Sequence, residues 1–89
     1  MKLKLFTLPS CPQCPTAKKV AEELIKQRTD LTLDVLDLSD VNNMTAALML
    51  QIVSTPSFVI DDTPIFIGEL PTLKALNEKI EEYKKQMEP

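Results

Sequence analysis

The hydrophobic pattern of this chain changes period several times, and each change marks an element. Residues 2–8 alternate, with Leu3, Leu5 and Thr7 on one side and Lys4, Phe6 and Leu8 on the other. That is a strand whose second side is apolar enough to be covered as well. Pro9-Ser10 ends it. From Pro12 to about Arg28 the period becomes helical. Ala17, Val20, Ala21, Leu24 and Ile25 make one face, with Lys18, Lys19, Glu22, Glu23 and Lys26 opposite. The pairs Lys18–Glu22, Lys19–Glu23 and Glu22–Lys26 are spaced to bridge successive turns. Residues 31–38 read as a second strand, its apolar parity shifting between Val35 and Leu36, which calls for a bulge or for burial on both faces.

Ser39-Asp40 then reads as a helix cap. Val41, Met44, Leu48 and Ile52 follow at helical spacing and predict a helix of about 41–52, with Met44 and Met49 as core filling. Two short strands, Ser57–Ile60 and Ile65–Ile67, flank the hairpin signal Asp61-Asp62-Thr63-Pro64. Gly68-Glu69-Leu70-Pro71-Thr72 opens a last helix, with Pro71 in its first turn and Leu73, Leu76, Ile80 and Tyr83 on its buried face. The tail from Lys84 to Pro89 is expected to fray. The order is strand, helix, strand, helix, strand, strand, helix. Its first βαβ unit requires parallel strands and a right-handed crossover, and the hairpin makes the sheet mixed.

Composition narrows the picture. The 89 residues suit one domain spanning 1–89, and 44% apolar content suffices for a core. With no Trp, three Phe and one Tyr, that core is aliphatic. Net charge is −3. Residues 1–50 carry six basic and six acidic side chains, and residues 51–89 four and seven, so the second half holds the deficit. An acidic balance removes the electrostatic case for a nucleic-acid partner. No run approaches the roughly 18–20 apolar residues of a membrane span. The opening apolar stretch stops at Leu8-Pro9 with no small-residue cleavage site after it, so a cytoplasmic monomer is expected.

The chemistry lies in Cys11-Pro12-Gln13-Cys14, which holds both cysteines of the chain. It falls where the first strand hands over to a helix. In a reducing compartment such a pair is catalytic or metal-binding rather than structural. With no histidine, a zinc site of about four ligands would need two copies of the chain. A thiolate at a helix start is favoured by unpaired N–H groups and the helix dipole, and a second thiol one turn on can attack the mixed disulfide that the first forms. Pro12 suits a first helical position. Pro15 would remove the first regular bond of a helix capped at Cys11, so a tightened or irregular first turn is predicted. Gln13 is a solvated turn residue. Thr55-Pro56 stands at the entry to the third strand, where proline forfeits no ladder bond, and base rates alone favour trans.

A Cys-Pro-x-Cys after the first strand, Thr55-Pro56 before the hairpin, and Gly68 before the last helix together resemble the thioredoxin-fold family, in particular its small glutaredoxin-like and thioredoxin-like branches. That resemblance implies an α/β thioredoxin fold with a mixed four-stranded sheet in the order second, first, third, fourth strand. The first and third helices would share one face, and the second would cover the other. It implies that Cys11 is the exposed nucleophile and Cys14 the buried resolving thiol. Pro12, Gln13 and a cis Pro56 would shape the site, and Thr55 and Gly68 would meet an extended substrate segment. The implied activity is reduction of protein disulfides, with electrons from a reductase protein or a low-molecular-weight thiol. No metal or organic cofactor is implied.

The chain departs from the family at Ser10, where an aromatic is usual. The first strand has no acid, and Thr7-Leu8-Pro9-Ser10, just before the cysteines, has no base where a lysine is frequent in glutaredoxins. Asp61, Asp62 and Glu69 read as a solvated acidic rim on the glutathione side, which disfavours the alternative of a glutathione-dependent glutaredoxin. A further alternative is a non-catalytic redox sensor or binding module.

Overall fold

The computed structural model describes residues 1–87. Seven elements run β1 (Lys2–Thr7), α1 (Cys14–Gln27), β2 (Thr32–Asp37), α2 (Val41–Met49), β3 (Ser57–Ile60), β4 (Thr63–Ile67) and α3 (Leu73–Met87). The four strands form one sheet in the order β2-β1-β3-β4, as expected. β1 pairs parallel with β2, from Lys2 opposite Thr32 to Thr7 opposite Asp37. It pairs antiparallel with β3, from Leu3 opposite Ile60 to Phe6 opposite Ser57.

The alternation in β1 sorts its side chains between two cores. Leu3 and Leu5 join Ala17, Ala21, Leu24, Phe58, Leu76 and Ile80 on the face shared by α1 and α3. Phe6 joins Leu38, Ala47, Ile52 and Val59 on the α2 face. β3 is buried along its whole length, as a central strand between two covered faces should be. Burying a side chain such as Phe58 or Leu24 stabilises by about 1.5–3 kcal/mol, so the larger α1/α3 core carries most of the fold. In β2 the pairing with β1 runs unbroken, so there is no bulge. Leu33 packs instead toward the α1/α3 core and Leu36 toward the α2 core, which explains the parity shift.

Several boundaries differ from the sequence reading. α2 stops at Met49 because Gln51 turns left-handed (φ 61°), and the Ile52 N–H returns to the Ala47 carbonyl at 2.8 Å. This closure folds Ile52 back onto Ala47 in the core. The face of α2 turned to the sheet therefore runs through Ala47. Val41, Leu48 and Met49 lie outside and Met44 is at best partly covered, so the methionines are not core filling. Asp40 caps α2 as expected, its Oδ1 accepting from the Asn42 and Asn43 N–H groups. β4 begins at Thr63 and includes Pro64, which an edge strand tolerates. The partner of Phe58 is Phe66 and that of Val59 is Pro64, so Ile65 is bulged out.

Pro71 precedes α3 rather than entering it. Thr72 is the cap, its Oγ1 accepting from Ala75 N–H at 3.0 Å. The helix continues to Met87 with no fraying from Lys84, and the rest of the expected frayed tail lies outside the described residues. None of the three four-spaced pairs expected on α1 closes among the described residues. Lys26 reaches Glu23 instead, at 4.0 Å. These exposed side chains gain little from any one geometry.

The end of the sheet near Met1 is tied by polar contacts. The Arg28 guanidinium donates to both carboxylate oxygens of Asp30, at 3.0 and 2.8 Å, and to the side-chain oxygen of Asn77 at 2.9 Å. It also pairs with Glu81 at 2.7 Å. Lys84 reaches Asp30 at 3.4 Å. The hydrogen bonds from Arg28 hold the Asp30 carboxyl well below the usual carboxylate range. One guanidinium thus joins the α1–β2 loop to α3.

Candidate active site

Three loops meet at the opposite end of the sheet. β1 ends at Thr7 and leads into residues 8–13. Ser57 lies opposite Phe6, so residues 54–56 enter β3 at that same end. Ile67 lies opposite Ser57, so Gly68 leaves β4 there too. The register alone therefore brings Cys11, Cys14, Thr55, Pro56 and Gly68 to one rim. Asp61 and Asp62 are carried to the other end, where the Asp61 N–H donates to the Lys2 carbonyl at 2.8 Å. Of the expected acidic rim only Glu69 stands at the cysteine end. Asp61 is not simply solvated either, since its side chain accepts from the Lys2 N–H at 2.9 Å and from the Tyr83 hydroxyl at 2.9 Å. These bonds, the first foremost, lower its pKa. Tyr83 is accordingly a half-buried strap rather than plain core.

The cysteines differ in setting. α1 begins at Cys14, with Gln13 in the cap position. Cys14 heads the stripe Cys14, Ala17, Ala21 and Leu24 that faces the sheet, and it is 5% exposed. Cys11 lies before the helix in a turn, half-buried. Its N–H donates to the Leu8 carbonyl at 3.1 Å, and its own carbonyl accepts from Cys14 N–H at 3.4 Å. That last bond spans three residues and tightens the turn before the helix, as predicted, while the helix itself opens on a regular bond from the Ala17 N–H to the Gln13 carbonyl at 3.0 Å. Pro12 lies outside the helix. Pro15 is the second helical residue, where no intrahelical donor is needed, so it breaks no bond. The two sulfurs are joined as a disulfide with Cα atoms 5.4 Å apart, within the ordinary range for such a bridge.

The surrounding loops leave backbone groups open. The Thr55–Pro56 bond is cis, as the resemblance implied and base rates did not. Pro56 is buried, whereas Pro12 and Gln13 are exposed. Neither the N–H nor the C=O of Thr55 has a partner among the described residues. Gly68 adopts φ +68°, and a Cβ there would meet Ser54 Oγ at 2.7 Å. Its N–H is engaged by the Ser57 hydroxyl, a buried residue that sequence reasoning did not single out. The signal available was a lone polar side chain opening the apolar run Phe58-Val59-Ile60.

Comparison with known proteins agrees with this geometry. A family profile described as thioredoxin domain matches residues 1–81. A thioredoxin of Methanocaldococcus jannaschii is 39% identical over 80 residues, covering 90% of this chain and 92% of that protein. Thioredoxin 1 of Thermosipho africanus shares the fold with a TM-score of 0.73 at 18% identity, over 97% of each chain. Oxidised thioredoxin from Plasmodium falciparum does so with a TM-score of 0.68 at 22% identity, over 92% of this chain and 79% of that one. The chain belongs to the thioredoxin domain family and is a thiol–disulfide oxidoreductase.

Proposed function

We propose that the protein reduces disulfides in other proteins, with Cys11 as nucleophile and Cys14 as resolving thiol. The observation that carries this division is their unequal burial. Only Cys11 lies out in the loop where an incoming sulfur can reach it. The Cys11 thiolate attacks one substrate sulfur, and the other leaves as a thiolate. Cys14, deprotonated, then attacks Cys11. The Cys11–Cys14 disulfide forms and the second substrate thiolate departs. Two electrons pass to the substrate, and a reductase protein or a low-molecular-weight thiol must return them. The open N–H and C=O of Thr55 suit an extended substrate segment added beside it, with Gly68 alongside. Pro12, Gln13 and Pro56 shape the approach.

A protein disulfide is favoured over glutathione because residues 8–13, 54–56 and 68–72 contain no lysine or arginine and do contain Glu69. A glutathione carboxylate finds no cation in these loops. The setting that suits this chemistry is a monomer in a reducing cytoplasm.

Insulin reduction driven by dithiothreitol tests the reading. Wild-type protein accelerates the reaction, and Cys11→Ser abolishes the acceleration. Cys14→Ser accumulates a mixed disulfide with the substrate. Equal rates for wild type and Cys11→Ser would overturn it.

A further inference from the structure

Among the described residues, Ser57 is the one fully buried polar side chain. It opens β3, whose other three residues are Phe58, Val59 and Ile60. Burying a hydroxyl is unfavourable unless its bonds are met. Here both are met, and by two different loops. The Ser57 Oγ–H donates to the Ser54 carbonyl at 2.6 Å. The same oxygen accepts from the Gly68 N–H at 3.1 Å. The loops also touch directly, since Gly68 leaves no room for a Cβ beside Ser54.

We infer that Ser57 is a positioning residue for protein substrates. Its hydroxyl clips the loop before Pro56 to the loop after β4, and so sets the spacing of the two edges between which a substrate segment lies. Among the described residues its hydroxyl bonds only the Ser54 carbonyl and the Gly68 N–H, and neither cysteine. Its effect is on the width and alignment of the docking edge, and not on the reactivity of Cys11. This rests on the proposal that an extended protein segment docks along Thr55 and Gly68.

The test compares two substrates, insulin and the small disulfide 5,5′-dithiobis(2-nitrobenzoate), which needs no docking edge. Ser57→Ala is expected to raise KM for insulin about five- to tenfold, the order of one buried hydrogen bond, with the rate on the small disulfide unchanged. Ser57→Thr, which keeps the hydroxyl, restores the insulin KM. An unchanged insulin KM in Ser57→Ala, or equal losses on both substrates, overturns the inference. Wild-type protein that reduces the small disulfide but not insulin would instead sink the docking proposal on which it rests. Amide exchange supplies a readout on wild-type protein that no misfolded variant can confound. The Gly68 N–H is expected to be protected although Gly68 itself is exposed, and exchange as fast as in an open loop refutes the clip.

Discussion

Gly68→Ala tests how closely the loops at the cysteine end are fitted. Two penalties can be read from the structure. Gly68 sits at φ +68°, a conformation that costs an L-residue about 1–2 kcal/mol. The new methyl would also lie 2.7 Å from Ser54 Oγ and 3.2 Å from Ser54 Cβ. Ser54 is exposed, so its hydroxyl can rotate away, but its Cβ yields only if the loop moves. The sum is a loss of about 2 kcal/mol, near the upper range of ordinary substitutions. At a typical urea slope of about 1–2 kcal/mol per molar, the unfolding midpoint falls by about 1–2 M. The assay is urea unfolding of the oxidised protein followed by far-ultraviolet circular dichroism.

A double-mutant cycle with Ser54→Gly separates the two penalties. That change removes both contact atoms and leaves the backbone strain. It should recover about 0.5–1 kcal/mol of the loss, as contacting pairs commonly do. A Gly68→Ala protein within about 0.5 kcal/mol of wild type would refute the strain argument. A cycle with no coupling would refute the contact argument and leave strain alone as the cause.

Other consequences concern the opposite end of the sheet and α2. Arg28→Met removes the guanidinium from Asp30, Glu81 and Asn77. Arg28 is 10% exposed while its carboxylate partners are 36% and 46% exposed. The cost is therefore about 1–2 kcal/mol, between a surface pair and a fully buried one, or about 5–15 °C in Tm by thermal denaturation. Asp30 and Asp61 both have folded pKa values below their unfolded ones. Their contribution is fully present above the unfolded value of about 4 and is lost as pH falls through the lower folded values. Stability measured by urea titration should decline below about pH 4, and Arg28→Met should flatten that decline. α2 buries only Ala47, so its amides are expected to exchange faster than those of α1, and equal protection would contradict this.

The element order was legible because period and parity are local signals, whereas the strand order and the division of helices between faces came with the family resemblance carried by Cys11, Pro12, Cys14, Thr55, Pro56 and Gly68. What escaped depended on contacts distant in sequence or on unusual residues in familiar roles. α2 seemed to reach Ile52 because its stop is marked by Gln51 at positive φ, where glycine or asparagine is the common sign. The apolar spacing of Val41, Met44 and Leu48 suggested an inner face, yet a helix ending at Met49 turns Ala47 inward. Pro71 and Thr72 compete as start signals, and the hydroxyl of Thr72 settles the cap. Asp61 and Asp62 were grouped with Glu69 because they are near in sequence. The four residues of β3 and the return of β4 place them at opposite ends. Arg28 gave no sequence signal because its partners include Asn77 and Glu81 on the last helix.

The unequal burial of the cysteines, which the resemblance implied, has its cause in where α1 begins. Cys14, Ala17, Ala21 and Leu24 continue one helical stripe, and Cys11 falls before the helix starts. This placement has a mechanical consequence for the proposed exchange. Ala17 and Ala21 are small, so α1 can pack closely on Leu3, Leu5, Leu76 and Ile80 within the larger of the two cores. Cys14, on the same buried stripe as Ala17 and Ala21, is thus carried by the helix that packs on this core. The Cys11 turn is held by two backbone hydrogen bonds, one of them 3.4 Å long. When Cys11 accepts a substrate sulfur, any adjustment falls on this lightly held turn, because displacing α1 would open the core at a cost of several kcal/mol. In the proposed exchange the Cys14 sulfur therefore waits at a set position while Cys11 accommodates substrates of different shape.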